Sequence, residues 1–283
     1  TGTHLLSREH PTAEVGDGVR IRDLKDPSSG KDQRVDIALQ GPRSREILME
    51  LMKDEKVRRR FWSLARFELM KAKLVGIPVI VSRSGYTGEE YGYEIFVHPG
   101  KAPKLWNVIL EKGKRFGVKP AGLGARDSTR TEAGFPLWGQ ELAGKHDIFP
   151  TEAGYGSFVK LHKPFFVGRQ RAVEKAKKRK REVVRFRMER KGIRVVRPGA
   201  FVVSKKYNIL GRVTSSVVVD GIQTGMALIP RTYAVLDSRI GMVFPPRGME
   251  AMKKDIRKLI DAGSAKVEWA KIIPRFLFEE VEE

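Results

Sequence analysis

The chain has 283 residues, 41% of them hydrophobic, and carries a formal net charge of +21 with a pI near 10.2. This length is enough for one large domain or for two to three small ones. The absence of cysteine excludes disulfides, thiolate nucleophiles and cysteine-based zinc sites, and no apolar run is long enough to cross a membrane.

The first residues, TGTHLLSREHPTAE, are polar and do not form a signal-peptide pattern. We therefore expect a cytoplasmic protein. The five histidines include no pair at the spacing of metal ligands, so no metal site is predicted.

The positive excess favours encounter with polyanions such as nucleic acid, the ribosome or polyglutamylated ligands, or with an acidic protein. The alternative is the surface of a thermophile protein, which is rich in Lys, Arg and Glu and poor in Cys. Composition alone leaves both interpretations open.

The first third of the chain alternates between strand and helix patterns. Residues 1–33 are polar and turn-rich, with one short predicted strand at Val19–Ile21. RVDIALQGP gives an alternating strand that Gly41-Pro42 stops. Residues 43–53 then place Ile47 and Leu48 on the inner face of a helix.

Three strands and a second helix are predicted next. The strands lie at 67–76, 77–83 and 91–98, and the helix begins near Pro103 and ends near Gly113 or Gly117. This order suggests an antiparallel sheet with helices on one face, an α+β layer of ferredoxin-like kind.

The second half changes character after a short predicted helix within 122–134. The chain becomes loop-rich after Trp138, and residues 171–195 contain twelve Lys or Arg and three Glu, a net charge of +9. Short β runs at 181–188, 198–219 and 224–230 suggest a small β-barrel or sandwich, and 249–262 reads as an amphipathic helix. We therefore predict three domains: 1–120, the ferredoxin-like part; 121–180, a helix and loop segment; and 181–283, a β-barrel with an added helix.

One carboxylate stands in an otherwise apolar strand. On the strand after SRSGYTGEEY, Glu94 shares a face with Gly92 and Phe96, while Tyr93 and Ile95 share the other. Glu94 lies either on the solvent face of a half-buried strand or in a pocket. In a pocket it would accept two parallel N–H donors, as a pterin ring presents, with Gly92 leaving room for the ring.

Arg126 and Arg130 are four residues apart and share a helix face. They are either solvated or paired with Asp127 and Glu132, or they form a fork of donors for a carboxylate or phosphate. No complete nucleotide-binding motif is present, and no Ser-His-Asp arrangement is supported.

Taken together, an ordered series of motifs resembles the aminomethyltransferase family, the T-protein of the glycine cleavage system and its relatives. The series covers roughly residues 35–245 and runs DIALQGPRSREIL, SRSGYTGEEYGYEIF, AGLGARDSTRTEAGFPLWGQEL, IFPTEAGYGSFVKL, FVGRQRA, GRVTSSVVV and GMALIP.

The resemblance implies a folate-binding fold and a tetrahydrofolate cofactor. Glu94 matches the family's folate-binding glutamate in GYTGExGxE, and Arg126 matches the arginine of its GLGARD segment. Tyr86, Glu89 and Trp138 are weaker candidates for cofactor contacts, since each could equally be a turn or core residue. The implied reaction transfers a methylene group from an aminomethyl-lipoyl carrier protein, the H-protein, to tetrahydrofolate and releases ammonia.

This sequence departs from the family pattern in three respects. EEYGYE carries one extra residue, which could shift the register before Glu94. A helix is added near 249–262. The family's long N-terminal portion, with its catalytic aspartate, has no counterpart here, so no catalytic residue is assigned. We expect a split enzyme whose partner chain supplies that portion, a fragment, or a relative that lost catalysis.

Two rival functions remain open. One is a folate-dependent demethylase of the same family, which takes a methyl group from another donor. The other is a non-catalytic basic protein that uses residues 171–195 on RNA or the ribosome, although Phe186 is the one aromatic there and base stacking needs several.

Overall fold

The chain divides into two compact units, residues 1–122 and 123–283. This computed structural model describes residues 12–15, 19–244 and 256–276. The predicted division of the second unit at residue 180 stays a prediction.

The first unit is an α+β layer. A two-stranded antiparallel ribbon, β1 Thr12–Val15 and β2 Val19–Arg22, precedes it. The layer itself is built from the following elements in chain order: β3 Val35–Gln40, α1 Ser44–Glu50, α2 Glu55–Trp62, β4 Leu69–Leu74, β5 Ile77–Ser82, β6 Gly92–Val97 and α3 Ala102–Gly113.

The four strands β3 to β6 form one antiparallel sheet in the order β3-β6-β5-β4. Its inner face packs against the helices: Tyr93, Ile95 and Val97 of β6 are fully buried, and the rings of Phe61 in α2 and Tyr93 are 4.8 Å apart. Burial of each such side chain contributes roughly 1.5–3 kcal/mol to folding.

The opposite side, which we call the outer face, carries the alternate residues of the same strands. Strand pairing aligns them in rows, with Ser82 and Ala38 flanking Glu94 in one row and Ile80 and Asp36 flanking Phe96 in the next. Lys71 and Lys73 of β4 continue the second and third rows. The alternation of apolar and polar residues is therefore the reason that the sheet is buried on one side only.

The predicted strands of this unit are confirmed, and the predicted helix at 43–53 is shorter, ending at Glu50. Helix α2 was not predicted, because EKVRRRFW has few apolar residues. Its start has a clear local cause: the Asp54 carboxylate accepts hydrogen bonds from the N–H groups of Lys56 at 2.8 Å and Val57 at 3.1 Å.

The second unit begins with α4 Leu123–Glu132 and continues through loops with two short 3-10 helices to α5 Arg169–Lys177. A closed barrel of six strands follows, in the order β10-β7-β12-β11-β8-β9. Its strands are β7 Arg181–Met188, β8 Phe201–Val203, β9 Ile209–Val219, β10 Ile222–Pro230, β11 Arg239–Phe244 and β12 Lys266–Ile273.

The barrel interior is filled by side chains. Phe186 and Met242 are fully buried there, with Val202 and Ala270. The predicted C-terminal β-barrel and the α+β fold class are confirmed. Strands β11 and β12 were not predicted, although β12 is needed to close the barrel between β7 and β11.

Helix α6 Ile256–Asp261 lies within the predicted helix at 249–262. Residues 249–255 of that prediction lie outside the described residues. Ile256 is buried in a small cluster with Phe201, Val203 and Val243. In the part of the chain that the structure describes, no helix has both the length and the apolar character needed to cross a bilayer.

Candidate functional site

Glu94 lies on the outer face of the first unit, and it is half-buried. It pairs with Ala38 of β3 on one side and with Ser82 of β5 on the other. The division of β6 into faces is as predicted: Tyr93 and Ile95 point into the core. Strand β6 begins at Gly92, so the residues before it lie in the loop, and Glu94 points outward. The match of Glu94 to the family's glutamate across the extra residue in EEYGYE stays a prediction.

A hydroxyl group holds the Glu94 carboxylate in position. Ser84 Oγ donates to Glu94 Oε2, and Ser84 Oγ is 3.0 Å from Ser82 Oγ. Within the ranges 12–15, 19–244 and 256–276, no further hydrogen bond to Glu94 is recorded. A carboxylate has about four lone-pair positions, so Oε1 and part of Oε2 can accept further donors. Sequence reasoning missed Ser84, although it precedes the glycine of the SGYTG turn.

The expectation that Gly92 leaves room for a flat ring is wrong. The Gln40 side chain occupies that space, because a Cβ atom at Gly92 would be 2.2 Å from Gln40 Oε1. Gln40 Nε2 also donates to the carbonyl of Ser84 at 3.2 Å. The open neighbour of Glu94 is instead Ala38, a small and exposed residue on β3.

The loop between β5 and β6 is anchored by stacked cations. The guanidinium of Arg45 in α1 lies 4.2 Å from the ring centre of Tyr91, and that of Arg83 lies 5.0 Å from it. Arg45 Nε also donates to Tyr93 Oη at 3.2 Å. These contacts fix the ring of Tyr91, which belongs to the EEYGYE segment.

Two weaker candidates lie in the same loop. Tyr86 is half-buried, whereas Glu89 is exposed. Thr87, between them, donates to Gln40 Oε1 at 3.2 Å and ties the turn to β3. The roles proposed for Tyr86 and Glu89 toward a cofactor stay predictions.

In the second unit, Arg126 and Arg130 of α4 have different environments despite their spacing. Arg126 is exposed, and Arg130 is only 1% exposed. Arg126 therefore presents its guanidinium to solvent or to a ligand, while Arg130 is an internal residue.

Arg130 is the centre of a buried polar network. Its Nη1 lies 2.9 Å from the Oε2 of fully buried Glu141, its Nη2 donates to Ser215 Oγ at 2.9 Å, and it also pairs with Asp127. Ser215 Oγ donates to Glu141 Oε1 at 2.6 Å. The expected ion pair between Arg130 and Asp127 is confirmed. The second acidic partner of Arg130 is Glu141, eleven residues later, and not Glu132. The network ties α4 to strand β9.

Trp138 follows α4 in a loop and is 78% exposed. Its backbone forms an isolated bridge with Leu142, beside Glu141. The indole is thus not a core residue of the second unit, and a cofactor contact for Trp138 stays a prediction.

The basic segment 171–195 is partly neutralised by acids from elsewhere in the second unit. Arg181 pairs with Glu152 at 3.0 Å, and Lys175 pairs with Asp147 at 2.5 Å. A further pair joins Arg190 to Glu268, whereas Glu182, which pairs with Arg179, is already counted in the net charge of the segment. The net charge of +9 therefore overstates the positive potential that this segment presents to a polyanion.

A family model described as "GCVT N-terminal domain" matches residues 7–163 of the chain. The aminomethyltransferase of Caldanaerobacter subterraneus subsp. tengcongensis is 39% identical over 227 residues, which are 79% of this chain and 58% of that protein. The aminomethyltransferase of Thermoanaerobacter sp. is 38% identical over 224 residues, covering 78% of this chain and 58% of that protein.

A solved structure is similar over most of the chain. The crystal structure of glycine cleavage system aminomethyltransferase T from Bartonella henselae matches with a TM-score of 0.66 and 25% identity, over 86% of this chain and 59% of that chain. The present chain thus spans a little under three fifths of the length of these relatives.

Proposed function

The chain belongs to the aminomethyltransferase family, and from this premise we propose that it binds tetrahydrofolate through Glu94 and Arg126. The proposed reaction is that of the T-protein, in which a lipoylated carrier protein donates a methylene group to tetrahydrofolate and ammonia is released. Because the chain spans less than two thirds of its relatives, this whole activity is a proposal. The observation that carries it is the carboxylate of Glu94 on the outer face.

The surroundings of Glu94 fit a ring that bears two parallel N–H donors. Ser84 holds one carboxylate oxygen and leaves acceptor positions on both, while exposed Ala38 leaves space beside them. Phe96 lies on the same face, next but one along β6, and offers apolar contact to the ring or to the group attached to it. A charge-assisted pair of this kind fixes both the position and the orientation of the ring.

Arg126 would supply the second anchor. Its exposed guanidinium presents planar donors that match a carboxylate or a carbonyl oxygen of folate. Buried Arg130 supports it, because the pairs with Glu141 and Ser215 fix the helix from which Arg126 projects. Tyr86, Glu89 and Trp138 are proposed as secondary contacts.

Catalysis would consist of positioning and electrostatics. Bound tetrahydrofolate supplies the nitrogen that accepts the one-carbon unit. Glu94 and Arg126 would hold it beside the carrier, which reduces the entropic part of the barrier. A carboxylate that eases proton transfer as ammonia leaves is still required. In this proposal that carboxylate belongs to a polypeptide segment equivalent to the part of the relatives that this chain does not match.

Calorimetry with 5-formyltetrahydrofolate, an oxidation-resistant analogue, tests the binding proposal. We expect Glu94→Gln to weaken binding tenfold or more, since a hydrogen bond to a charged group contributes about 1.5–3 kcal/mol and about 1.4 kcal/mol is a factor of ten. Glu111→Gln, an exposed substitution in α3, is the matched control.

The test includes, as a separate polypeptide, the part of the Caldanaerobacter relative that this chain does not match, together with a lipoylated carrier protein. If the wild-type chain does not bind the analogue even in their presence, the proposed function is wrong. Equal affinities of Glu94→Gln and wild type would reject Glu94 as the anchor.

A further inference from the structure

Three cations lie side by side on the outside of the barrel in the second unit. Strand pairing places Lys271 of β12 opposite Arg187 of β7 on one side and opposite Arg239 of β11 on the other. All three residues are exposed, because their neighbours along the strands, such as Ala270 and Ile240, fill the barrel interior. Since neighbouring strands are about 4.8 Å apart, these three residues, which we call the cation row, extend over about 10 Å.

The cation row is unfavourable for the barrel itself, because like charges directly opposite each other on neighbouring strands are destabilising. One of the three cations is neutralised: Arg239 donates to both carboxylate oxygens of Glu189 at 2.7 Å. Within residues 12–15, 19–244 and 256–276, no acid forms an ion pair with Arg187 or Lys271. An anion bound across the row would relieve their repulsion, and residues that break a local rule of stability are expected at functional sites.

Two aromatic rings lie beside the cation row. Trp269 precedes Lys271 by two residues on the same face of β12, and the guanidinium of Arg239 is 5.1 Å from its ring centre. The ring of Tyr207, in the turn after β8, is 6.4 Å from the ring of Trp269. Two exposed lysines directly precede Tyr207 in the chain. Cations and aromatic rings therefore share one surface of the barrel.

Tyr207 has a backbone conformation that tyrosine rarely adopts. Its φ is +60°, in the left-handed region that glycine and asparagine favour. Its side chain is exposed, so core packing does not account for a tyrosine at this position. Trp269, in contrast, lies over Gly241, where a Cβ atom would be 3.3 Å from the indole. Of the two rings, Tyr207 is thus the one that is open to a flat group of a ligand.

We propose that this surface binds single-stranded nucleic acid, with the cation row along the phosphate backbone and Tyr207 stacked against a base. Cations that follow the backbone, next to an aromatic ring that stacks on a base, are the means by which proteins hold single strands without reading their sequence. The net charge of +21 favours the encounter with such a polyanion. An acidic protein would also meet the cations, but its carboxylates would leave the ring of Tyr207 without a partner.

Fluorescence anisotropy of the full chain with labelled oligouridylate and oligothymidylate, each of about twelve nucleotides, tests this inference. We expect both to bind, because phosphates and stacked bases are common to RNA and DNA. Arg187→Gln/Lys271→Gln should weaken binding. It should also reduce the slope of log affinity against log salt concentration by about 1.4, which is about 0.7 for each lost phosphate contact.

The matched control is Lys177→Gln/Lys178→Gln, which removes the same charge at exposed positions at the end of α5. These two lysines belong to the basic segment 171–195 but not to the cation row, so the control should leave the salt slope nearly unchanged. An equal reduction of the slope in both double variants would show a general effect of charge and would overturn the inference.

Tyr207→Asn separates stacking from a structural role of Tyr207. Asparagine suits a φ of +60°, so the melting temperature should stay the same or rise. Binding of oligouridylate should nevertheless weaken about tenfold, because the contact with one stacked base is lost. Tyr207→Phe keeps the ring and should bind as the wild type does.

Three further results would contradict the inference. They are a wild-type chain that binds neither oligonucleotide, a Tyr207→Asn variant that binds as tightly as wild type, and a polyglutamate peptide that binds as tightly as oligouridylate. The last result would indicate an acidic protein as the partner. None of them bears on the proposed function, because Glu94 and Arg126 do not belong to this surface.

Discussion

Arg126 and Arg130 show how far two identical side chains on one helix can differ. Both belong to α4, one turn apart, but Arg126 is exposed and Arg130 is buried with Glu141 and Ser215. The sequence spacing predicted a shared face. It could not show that strand β9, more than eighty residues later, covers only one end of that face.

Removing the Arg130 charge should destabilise the second unit strongly. Arg130→Met leaves the Glu141 carboxylate buried without its ion-pair partner, and such a change costs about 3–5 kcal/mol. Arg126→Met, on the same helix, should change stability by less than about 0.5 kcal/mol because its side chain is exposed. Urea denaturation followed by circular dichroism compares the two, and equal losses would contradict a structural role for Arg130.

His146 should make stability depend on pH. Burial, with the positive charges of Lys145, Arg181 and Arg212, lowers the pKa of His146 from its usual value of 6.5. The folded state therefore binds fewer protons than the unfolded chain. The stability that His146 contributes is complete above pH 6.5 and is lost as the pH falls through that value toward the folded pKa.

We therefore expect the melting temperature to fall from pH 7.5 to pH 5.5, and His146→Gln to reduce that fall. His162→Gln, at an exposed position, is the control. A fall that is unchanged in His146→Gln would show that other groups cause the pH dependence.

At the scale of elements, two glycines should respond to alanine in opposite directions. At Gly225 in β10, a Cβ atom would be 2.3 Å from the Ser215 carbonyl oxygen and 2.8 Å from the Phe186 ring. At Gly124 in α4, a Cβ atom would meet nothing within 4 Å, and the backbone φ is not positive.

Gly225→Ala should therefore lower the free energy of unfolding by about 1–3 kcal/mol through overpacking. Gly124→Ala should raise it by about 0.5–1 kcal/mol, because alanine loses less backbone entropy in a helix. The urea concentrations at the midpoints of unfolding measure both changes when the m-value, the slope of the unfolding free energy against urea concentration, is the same in all variants. A destabilising Gly124→Ala would indicate an unrecognised contact at the start of α4.

The strands were predictable where period-two alternation reflects burial on one side, as in β3 and β6. The barrel strands β11 and β12 were not predicted, and both are completed only by long-range pairing. Helix α2 was missed for another reason: its apolar face is short, with Val57 and Phe61 packed into the core, and its start depends on the Asp54 cap.

For the candidate site, the sequence placed Glu94 on the correct face but could not show its immediate neighbours. Gln40 fills the space over Gly92, and Ser84 bonds to the carboxylate. The first contact follows from the pairing of Gln40 with Gly92 across β3 and β6, and the second depends on how the loop before β6 folds over the sheet. The residue pattern encodes neither.

For the whole molecule, the net charge of +21 should weaken the folded state at low ionic strength. Raising NaCl from about 10 mM to about 0.1 M shortens the Debye length from about 30 to about 10 Å. The melting temperature should then rise by a few degrees, as a gain of about 1 kcal/mol implies. A decrease would show that surface ion pairs such as Arg239–Glu189 outweigh the repulsion.

A charge-reduced variant checks the cause. Lys177→Glu/Lys178→Glu alters two exposed residues at the end of α5. It should melt higher than wild type at about 10 mM NaCl and respond less to added salt, because the repulsion that salt screens is smaller.

Strand β4 lies at one end of the four-stranded sheet, and among the described strands only β5 pairs with it. Such an edge invites pairing with another copy of the chain and hence aggregation, and outward-pointing lysines are a common protection against it. Lys71 and Lys73 therefore help to keep copies of the chain apart. Apolar replacements at these two positions would promote self-association.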